Sequence, residues 1–367
     1  MKRPASRSAW RALLALTGIA AIAVLVAQTL AAPRAGAAED DQQKGIALIA
    51  RAQLLETLLA PDTGPFRLHA RIKVFGTAEG TREADYLLLA ASPGQWSEQI
   101  RYPGHAELSG LSDGQRWRTR DAAGAPAPLH RIALMLKPAY HLDLPAEARI
   151  TRLSQREVGG TRAFCFEASP TAELWQKERA GKSAISPVGI GEDTRVTLCF
   201  DADSGLLLSA TYQGDLPRFE YEGQVALGTK IFPKVLRWYE GKSLVVEAAV
   251  QEVTREEPAD ATGFAPPAGA EVWPDCSNAD APRMVEKKQL DGGTLAYSRS
   301  RGQTGTMYAL VEIGADGKVH DFSPLQGTPS RVAAALKETV QKWRYEPATC
   351  NGVPVPVTIH LAYTIPP

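Results

Sequence analysis

The feature that most constrains this chain is a two-residue period that begins at Phe66 and is cut, again and again, by turn chemistry. Phe66, Leu68, Ala70, Ile72 and Val74 alternate with Arg67, His69, Arg71 and Lys73, the pattern of a strand with one wet face. Turn signals follow at Ser92-Pro93-Gly94, Pro103-Gly104, Asp113-Gly114, Gly159-Gly160, Asp203-Ser204-Gly205 and Glu240-Gly241-Lys242. They bound strands expected near 81–90, 95–101, 105–109, 115–120, 148–157, 161–168, 194–201, 206–213, 218–226, 231–239 and 243–252. So many short antiparallel strands must curl or close to protect their edges.

Two helices interrupt the strands. Leu48, Ala52, Leu55 and Leu59 recur at helical spacing over 42–60, and Pro61 follows. Leu129, Ile132, Ala133 and Leu136 share one face of a shorter helix that Pro138 closes, and 170–193 reads as a long irregular loop. These elements make a first module over about 40–253. Its inner apolar positions either line a cavity beneath a loosely packed helix or fill a core. Residues 254–275 follow, with Pro258, Pro266, Pro267 and Pro274, and read as a semi-extended linker.

A second module spans about 276–367. Met307, Ala309, Val311 and Ile313 alternate with Tyr308, Leu310 and Glu312, and Ala315-Asp316-Gly317-Lys318 turns the chain into a returning strand. Thr328-Pro329 opens a helix with its stripe at Val332, Leu336, Val340 and Trp343. A last strand places Val353, Val355, Val357, Ile359, Leu361 and Tyr363 on one face and Pro354 and Pro356 on the other, which puts its start on a sheet edge.

Charge and cysteine usage locate the body. The chain carries 41 Lys+Arg against 41 Asp+Glu, but Lys2, Arg3, Arg7, Arg11 and Arg34 meet no acid within 1–37. Beyond that leader the body is mildly acidic, which gives no basic surface for nucleic acid. Ala12 to Ala32 holds no charge, and Ala35-Gly36-Ala37 resembles a cleavage site. The leader is either a secretory signal or an anchor in the inner membrane through 12–32. Both place the body outside the cytoplasm, where four cysteines favour disulfides. Cys165 and Cys199 each lie opposite two large apolar neighbours, and the expected pairs are Cys165–Cys199 and Cys276–Cys350.

No catalytic, cofactor or metal site is expected. Gly110-Leu111-Ser112-Asp113-Gly114 matches G-x-S-x-G, but a strand follows where a nucleophile elbow needs a helix. Asp201-Ala202-Asp203-Ser204-Gly205 begins like a calcium loop, yet Tyr212 stands at the twelfth position. There is no C-x-x-C, and the six His have no paired spacing.

Two resemblances sharpen this reading. The leading helix, "SPGQWSEQIRYPG", "DGQRW" and "LCFDADSGLLLSATY" resemble the LolA/LolB-type periplasmic carriers. That resemblance implies an incomplete barrel of curled antiparallel sheet with covering helices, open to a lipid or acyl chain. "GTMYALVEIGADGKV" and "TPSRVAAALKETVQKWRYEPATCNGVPVPVTIHLAY" resemble the C-terminal domain of TonB-family energy transducers, with Gly317, Trp343, Tyr345, Pro347 and Gly352 among the matched positions. "RMVEKKQLDGGTLAYSRSRGQTG" stands where that family has a Tyr-Pro element. This second resemblance implies an α+β unit, a small antiparallel sheet with helices on one face, in the periplasm of a Gram-negative-type cell. It also implies strand addition by an envelope protein, such as an outer-membrane receptor, for which Val355, Val357, Ile359 and Leu361 are the candidate residues.

Overall fold

The computed structural model describes residues 35–77, 80–120, 136, 148–169, 195–212, 217–256, 261–276, 279–280, 282–301, 305–324 and 330–365. The leader, the loop at 170–193, the Thr328-Pro329 cap and the 129–138 helix (apart from Leu136) fall outside the described residues.

The first described element is α1 (Ala35–Glu56), followed by strands β1 (Phe66–Thr77), β2 (Gly80–Ser92), β3 (Gln95–Tyr102), β4 (His105–Ser112) and β5 (Gln115–Arg120). After these come β6 (Arg149–Val158), β7 (Thr161–Ser169), β8 (Val196–Asp201), β9 (Leu207–Tyr212) and β10 (Arg218–Glu222). The stretches expected at 218–226 and 231–239 break at Gly223 and Pro233. They yield β11 (Val225–Leu227), β12 (Lys230–Phe232) and β13 (Val235–Glu240), and then β14 (Ser243–Arg255).

The linker reading of 254–275 needs revision. A 3₁₀ turn forms at Ala261–Phe264, and β15 (Glu271–Pro274) adds to the free side of β5. Trp117 faces outward from β5, and its indole Nε1–H donates to the Phe264 carbonyl at 2.9 Å. A buried indole N–H needs such an acceptor, and this one holds the segment against the sheet.

The thirteen strands run in the order β15-β5-β4-β3-β2-β1-β14-β13-β10-β9-β8-β7-β6, every neighbouring pair antiparallel, and the sheet does not close. Bulges at His69/Ala70, Ala90/Ser92, Thr151/Ser154, Cys199/Phe200 and Trp238/Tyr239 add local twist. The result is a curled sheet. Trp96, Ile100 and Leu111 from one end share a single core with Phe166 and Phe200 from the other.

Helix α1 covers this inner face, but not with the expected stripe. Gly45, Ile49, Ala52 and Glu56 are buried, while Leu48 and Leu55 are half-buried and Leu54 is exposed. Polar anchors set that rotation. Near one end the Gln42 amide donates to the Ala148 carbonyl and accepts from the Ile150 N–H. At the other, Glu56 Oε1 accepts the Leu207 N–H at 2.6 Å, and the buried Lys230 ammonium donates to the Leu54 carbonyl at 2.8 Å.

The C-terminal unit comprises β16 (Arg283–Glu286), α2 (Gly292–Ser300), β17 (Gly305–Ile313), β18 (Val319–Pro324) and α3 (Ser330–Val340). It ends with β19 (Arg344–Glu346), β20 (Ala348–Cys350), β21 (Val353–Val355) and β22 (Val357–Ile365). Asp291 caps α2 by accepting the Thr294 N–H. The main sheet runs β18-β17-β22, and Val332, Leu336, Val340 and Trp343 are buried against one face of it, as their spacing predicts. Its other face turns toward the first domain, because Leu310 belongs to that domain's core cluster.

Candidate functional site

The outer strands of the two larger sheets end in different ways. β6 carries Arg149, Arg152, Arg156 and Glu157, its register shifts between Thr151 and Ser154, and Arg152 sits at φ 60°. Charges and a bulge are standard means of stopping another strand from pairing. β15 has four residues and finishes at Pro274, which has no N–H to donate. β18 has six, carries Asp321 and finishes at Pro324. β22 has none of these features. Its nine residues, VTIHLAYTI, include no proline, Lys, Arg, Asp or Glu. It pairs with β17 from Val357↔Ile313 to Ile365↔Gly305 without a register shift. Among the described strands, none pairs with its other side.

The matched motif residues build the packed scaffold behind this strand. Trp343 is fully buried, and its indole N–H donates to the Lys288 carbonyl at 2.9 Å, which ties the end of α3 to the chain before α2. Gly317 sits at φ 73°, and a Cβ there would collide with the Tyr345 carbonyl oxygen; the Tyr345 N–H in turn donates to the Gly317 carbonyl. Pro347 lies beside the same glycine. The hairpin turn and the segment after α3 are therefore one packed unit. Burial pushes the Tyr345 phenol up to about 12. Gly352, at φ 82°, supplies the turn from β20 to β21.

The expected single strand over 353–363 is two strands. Pro356 interrupts it, so Val353–Val355 forms a hairpin with Ala348–Cys350 and only Val357 onward joins β17. Of the four partner-strand candidates, Val357, Ile359 and Leu361 lie on β22 with their side chains toward the core, while Val355 is buried in the small hairpin.

A second feature lies on the inner face of the large sheet. One cross-strand row runs Val253, Leu68, Leu88, Glu98, Ser109, Arg118, Glu271, and changes from apolar to charged along its length. Glu98 accepts from the Tyr86 hydroxyl at 2.8 Å and from the Ser109 hydroxyl at 3.0 Å. Burial, with the Glu98 carboxylate adding to it, pushes the Tyr86 phenol well above its ordinary value. Arg118, with 12% of its side chain exposed, donates to Glu312 of β17 at 2.8 Å and to Glu271 at 3.2 Å. Its guanidinium also lies 5.6 Å from the Trp273 ring centre. Burial alone would lower the Arg118 pKa, but the Glu312 and Glu107 carboxylates outweigh it and raise it. The Glu312 side chain is 4% exposed, so this ion pair joins the two domains out of water. Removing one member of such a pair costs about 3–5 kcal/mol, because the other charge is left buried.

The cysteines form the two expected disulfides. Cys165 and Cys199 are direct cross-strand partners on the outer face of β7 and β8. Cys276–Cys350 ties the chain leaving β15 to the β20–β21 hairpin, beside Trp273. Ser112 ends β4, and Asp113 and Gly114 (φ 52° and 71°) turn directly into β5. Asp201 Oδ1 accepts the Asp203 and Ser204 N–H groups and the Ser204 hydroxyl, which makes that loop an Asx-type hairpin turn. Sequence reasoning did not single out Arg118, Glu98 or Glu312. The one available signal was the alternation of three arginines with Trp117 and Thr119 in "QRWRTR".

No curated protein matches the chain. Solved structures resemble the first domain. A putative outer membrane lipoprotein-sorting protein domain from Vibrio parahaemolyticus is 14% identical, covers 62% of this chain and 97% of its own, and has a TM-score of 0.37. A LolA superfamily protein from Nitrosomonas europaea is 9% identical over 60% of this chain and 96% of its own, TM-score 0.37. Lipoprotein LppX of Mycobacterium tuberculosis is 11% identical over 59% and 97%, TM-score 0.22. Residues 296–365, from within α2 to the end of β22, match the family described as the Gram-negative bacterial TonB protein C-terminal.

Proposed function

We propose that this protein is a non-enzymatic binding protein of the cell envelope. Its C-terminal unit captures an extended segment of a partner by adding it to β22, in the service of outer-membrane transport. The observation that carries this reading is the contrast among edges: β22 is long, unbulged and free of proline, Lys, Arg, Asp and Glu, while β6, β15 and β18 are charged, bulged, short or proline-ended. The family match over 296–365 supports it, since that family belongs to Gram-negative envelopes.

The test is photo-crosslinking in cells from an unnatural residue at position 364 on β22, with controls at 152 on β6 and 323 on β18. The expected product joins position 364 to an extended segment of an outer-membrane protein and is absent from both controls. A Thr364→Lys variant, which places a charge on the open edge, removes a product made from position 358. Equal products from all three sites, or none from 364, would contradict the proposal.

A second reading concerns the first domain: it carries a lipid or acyl-bearing ligand on its inner face. The unclosed sheet with α1 laid across its apolar inner face favours it, because ligand sites are apolar concavities with a few polar groups.

A further inference from the structure

The outer face of the large sheet, opposite α1, carries two adjoining cavities of 310 and 280 Å³ that share Asp85 and Arg101. The floor of the larger one is the half-buried Leu87 of β2, which lies between its cross-strand partners His69 of β1 and Gln99 of β3. Arg67 is the next outward residue along β1 and pairs with Leu89, while Arg101 is the next along β3 and pairs with Asp85. The two arginines therefore border the floor from opposite corners. A bulge completes the wall. His69 pairs with Glu252 and Ala70 with Val250, so Gln251 is the extra residue, and Glu252 turns outward beside His69 while Val250 and Val253 both stay in the core. Charge around this cavity is not matched within the protein. Glu83 and Asp85 meet Arg71, Lys73 and His69. Among the described residues, Arg67, Arg101 and Glu252 make no ion pair. Two guanidinium groups and one carboxylate thus surround one apolar floor, in a cavity whose volume falls at the lower end of the range for small-ligand sites.

We propose that this outer-face cavity binds a compact zwitterion, a phosphate joined to an ammonium by a short linker, with Arg67 and Arg101 on the phosphate and Glu252 on the ammonium. The pair of arginines favours phosphate over carboxylate. One guanidinium fork already occupies both oxygens of a carboxylate, whereas a phosphate has oxygens for two forks. Leu87 gives the methylenes of the linker an apolar surface, and the Gln99 amide is a further donor to the phosphate. Single ion pairs in contact with water are weak, so selectivity comes from meeting both charges of the ligand at once. The same group occurs on a free solute or as the head of a lipid. The cavity lies on the opposite face of the sheet from α1 and shares no residue with β22, so this inference rests on neither function proposed above.

The experiment titrates the full chain calorimetrically with phosphoethanolamine, glycerol phosphate and ethanolamine. Phosphoethanolamine is expected to bind more tightly than either compound with one charge. Arg67→Gln and Arg101→Gln should each lower its affinity about tenfold, the loss of one charged hydrogen-bond partner. Glu252→Gln should remove the preference for phosphoethanolamine over glycerol phosphate without weakening the latter. The three substituted side chains are exposed, so the variants keep the fold, and Arg162→Gln on β7 is a charge-matched control that should change nothing. Phosphatidylcholine vesicles with and without phosphatidylethanolamine separate the two sources. Extra sedimentation with the mixed vesicles that Arg67→Gln abolishes assigns a lipid head group, and soluble binding without it assigns a free solute. If phosphoethanolamine does not bind, or binds Arg67→Gln and Arg101→Gln as it binds the unsubstituted protein, the site is wrong. If Arg162→Gln weakens binding as much as they do, net charge explains the effect and the site is again wrong. If Glu252→Gln keeps the preference for phosphoethanolamine, the zwitterion assignment fails.

Discussion

β6 and β22 are outer strands of similar length, ten and nine residues, but they present opposite surfaces. β6 has a bulge, four charged residues and the left-handed Arg152, and α1 is anchored beside it through Gln42. β22 is regular and free of Lys, Arg, Asp and Glu, and its Leu361, Tyr363 and Ile365 share a core with the fully buried Trp343. Both edges expose backbone groups that could template another chain, and only one of them is guarded. The difference teaches that edge chemistry, more than strand length, separates a strand that ends a sheet from one built to be extended.

The largest test of that contrast removes the support. Trp343→Ala should cost about 3–5 kcal/mol of stability in the C-terminal unit. Amide exchange would show β17 and β22 losing protection while β1 and β14 keep theirs, so the open edge disappears and the guarded one persists. Next come the disulfides. Replacing Cys276 and Cys350 together by Ser should cost about 2–4 kcal/mol, measured by urea unfolding, and should free β15 from its place beside β5. The Cys165–Cys199 pair closes a separation of 34 residues against 74, so its removal should cost about 0.7 kcal/mol less by loop entropy. The last effect is smallest per pH unit but accumulates across the pH range, and it concerns the helix that covers the β6 end. Burial pushes the Glu56 carboxyl up to about 8, against the opposing Leu207 N–H, from an ordinary value of 4.5. The folded state therefore keeps a proton that the unfolded chain releases, and stability should fall by about 1.4 kcal/mol per pH unit between pH 4.5 and 8. Glu56→Gln should remove that slope, as seen by comparing unfolding midpoints at pH 5 and pH 8.

Much of the fold was legible because period and punctuation agreed. The turn pairs bounded nearly every strand of the large sheet, and the stripe from Val332 to Trp343 named the buried face of α3. Cys165–Cys199 could be read from face alternation, and Cys276–Cys350 from both residues falling in one expected domain. Three things were hidden. Pro233 and Pro356 split strands whose side-chain alternation runs straight through them, because a missing N–H interrupts the ladder without changing the pattern. β15 and the turn before it looked like a linker because Pro and Gly mask a segment that is held by its partners, Trp117 and β5. The inner-face cluster was hidden for the opposite reason. In β5, Trp117 faces outward under the Phe264 segment while Arg116 and Arg118 face inward, so the usual rule of apolar inside is reversed by a contact 147 residues away.

The account depends most on β22 being an accepting edge, and backbone amide exchange across 357–365 in the full chain measures this without any partner. In an antiparallel outer strand, alternate N–H groups point toward the neighbour and toward solvent. The expected result is alternating slow and fast amides over 357–365, as along the free side of a two-sided ladder. Uniform protection of all nine positions would mean that another strand already occupies the edge, and would contradict the account.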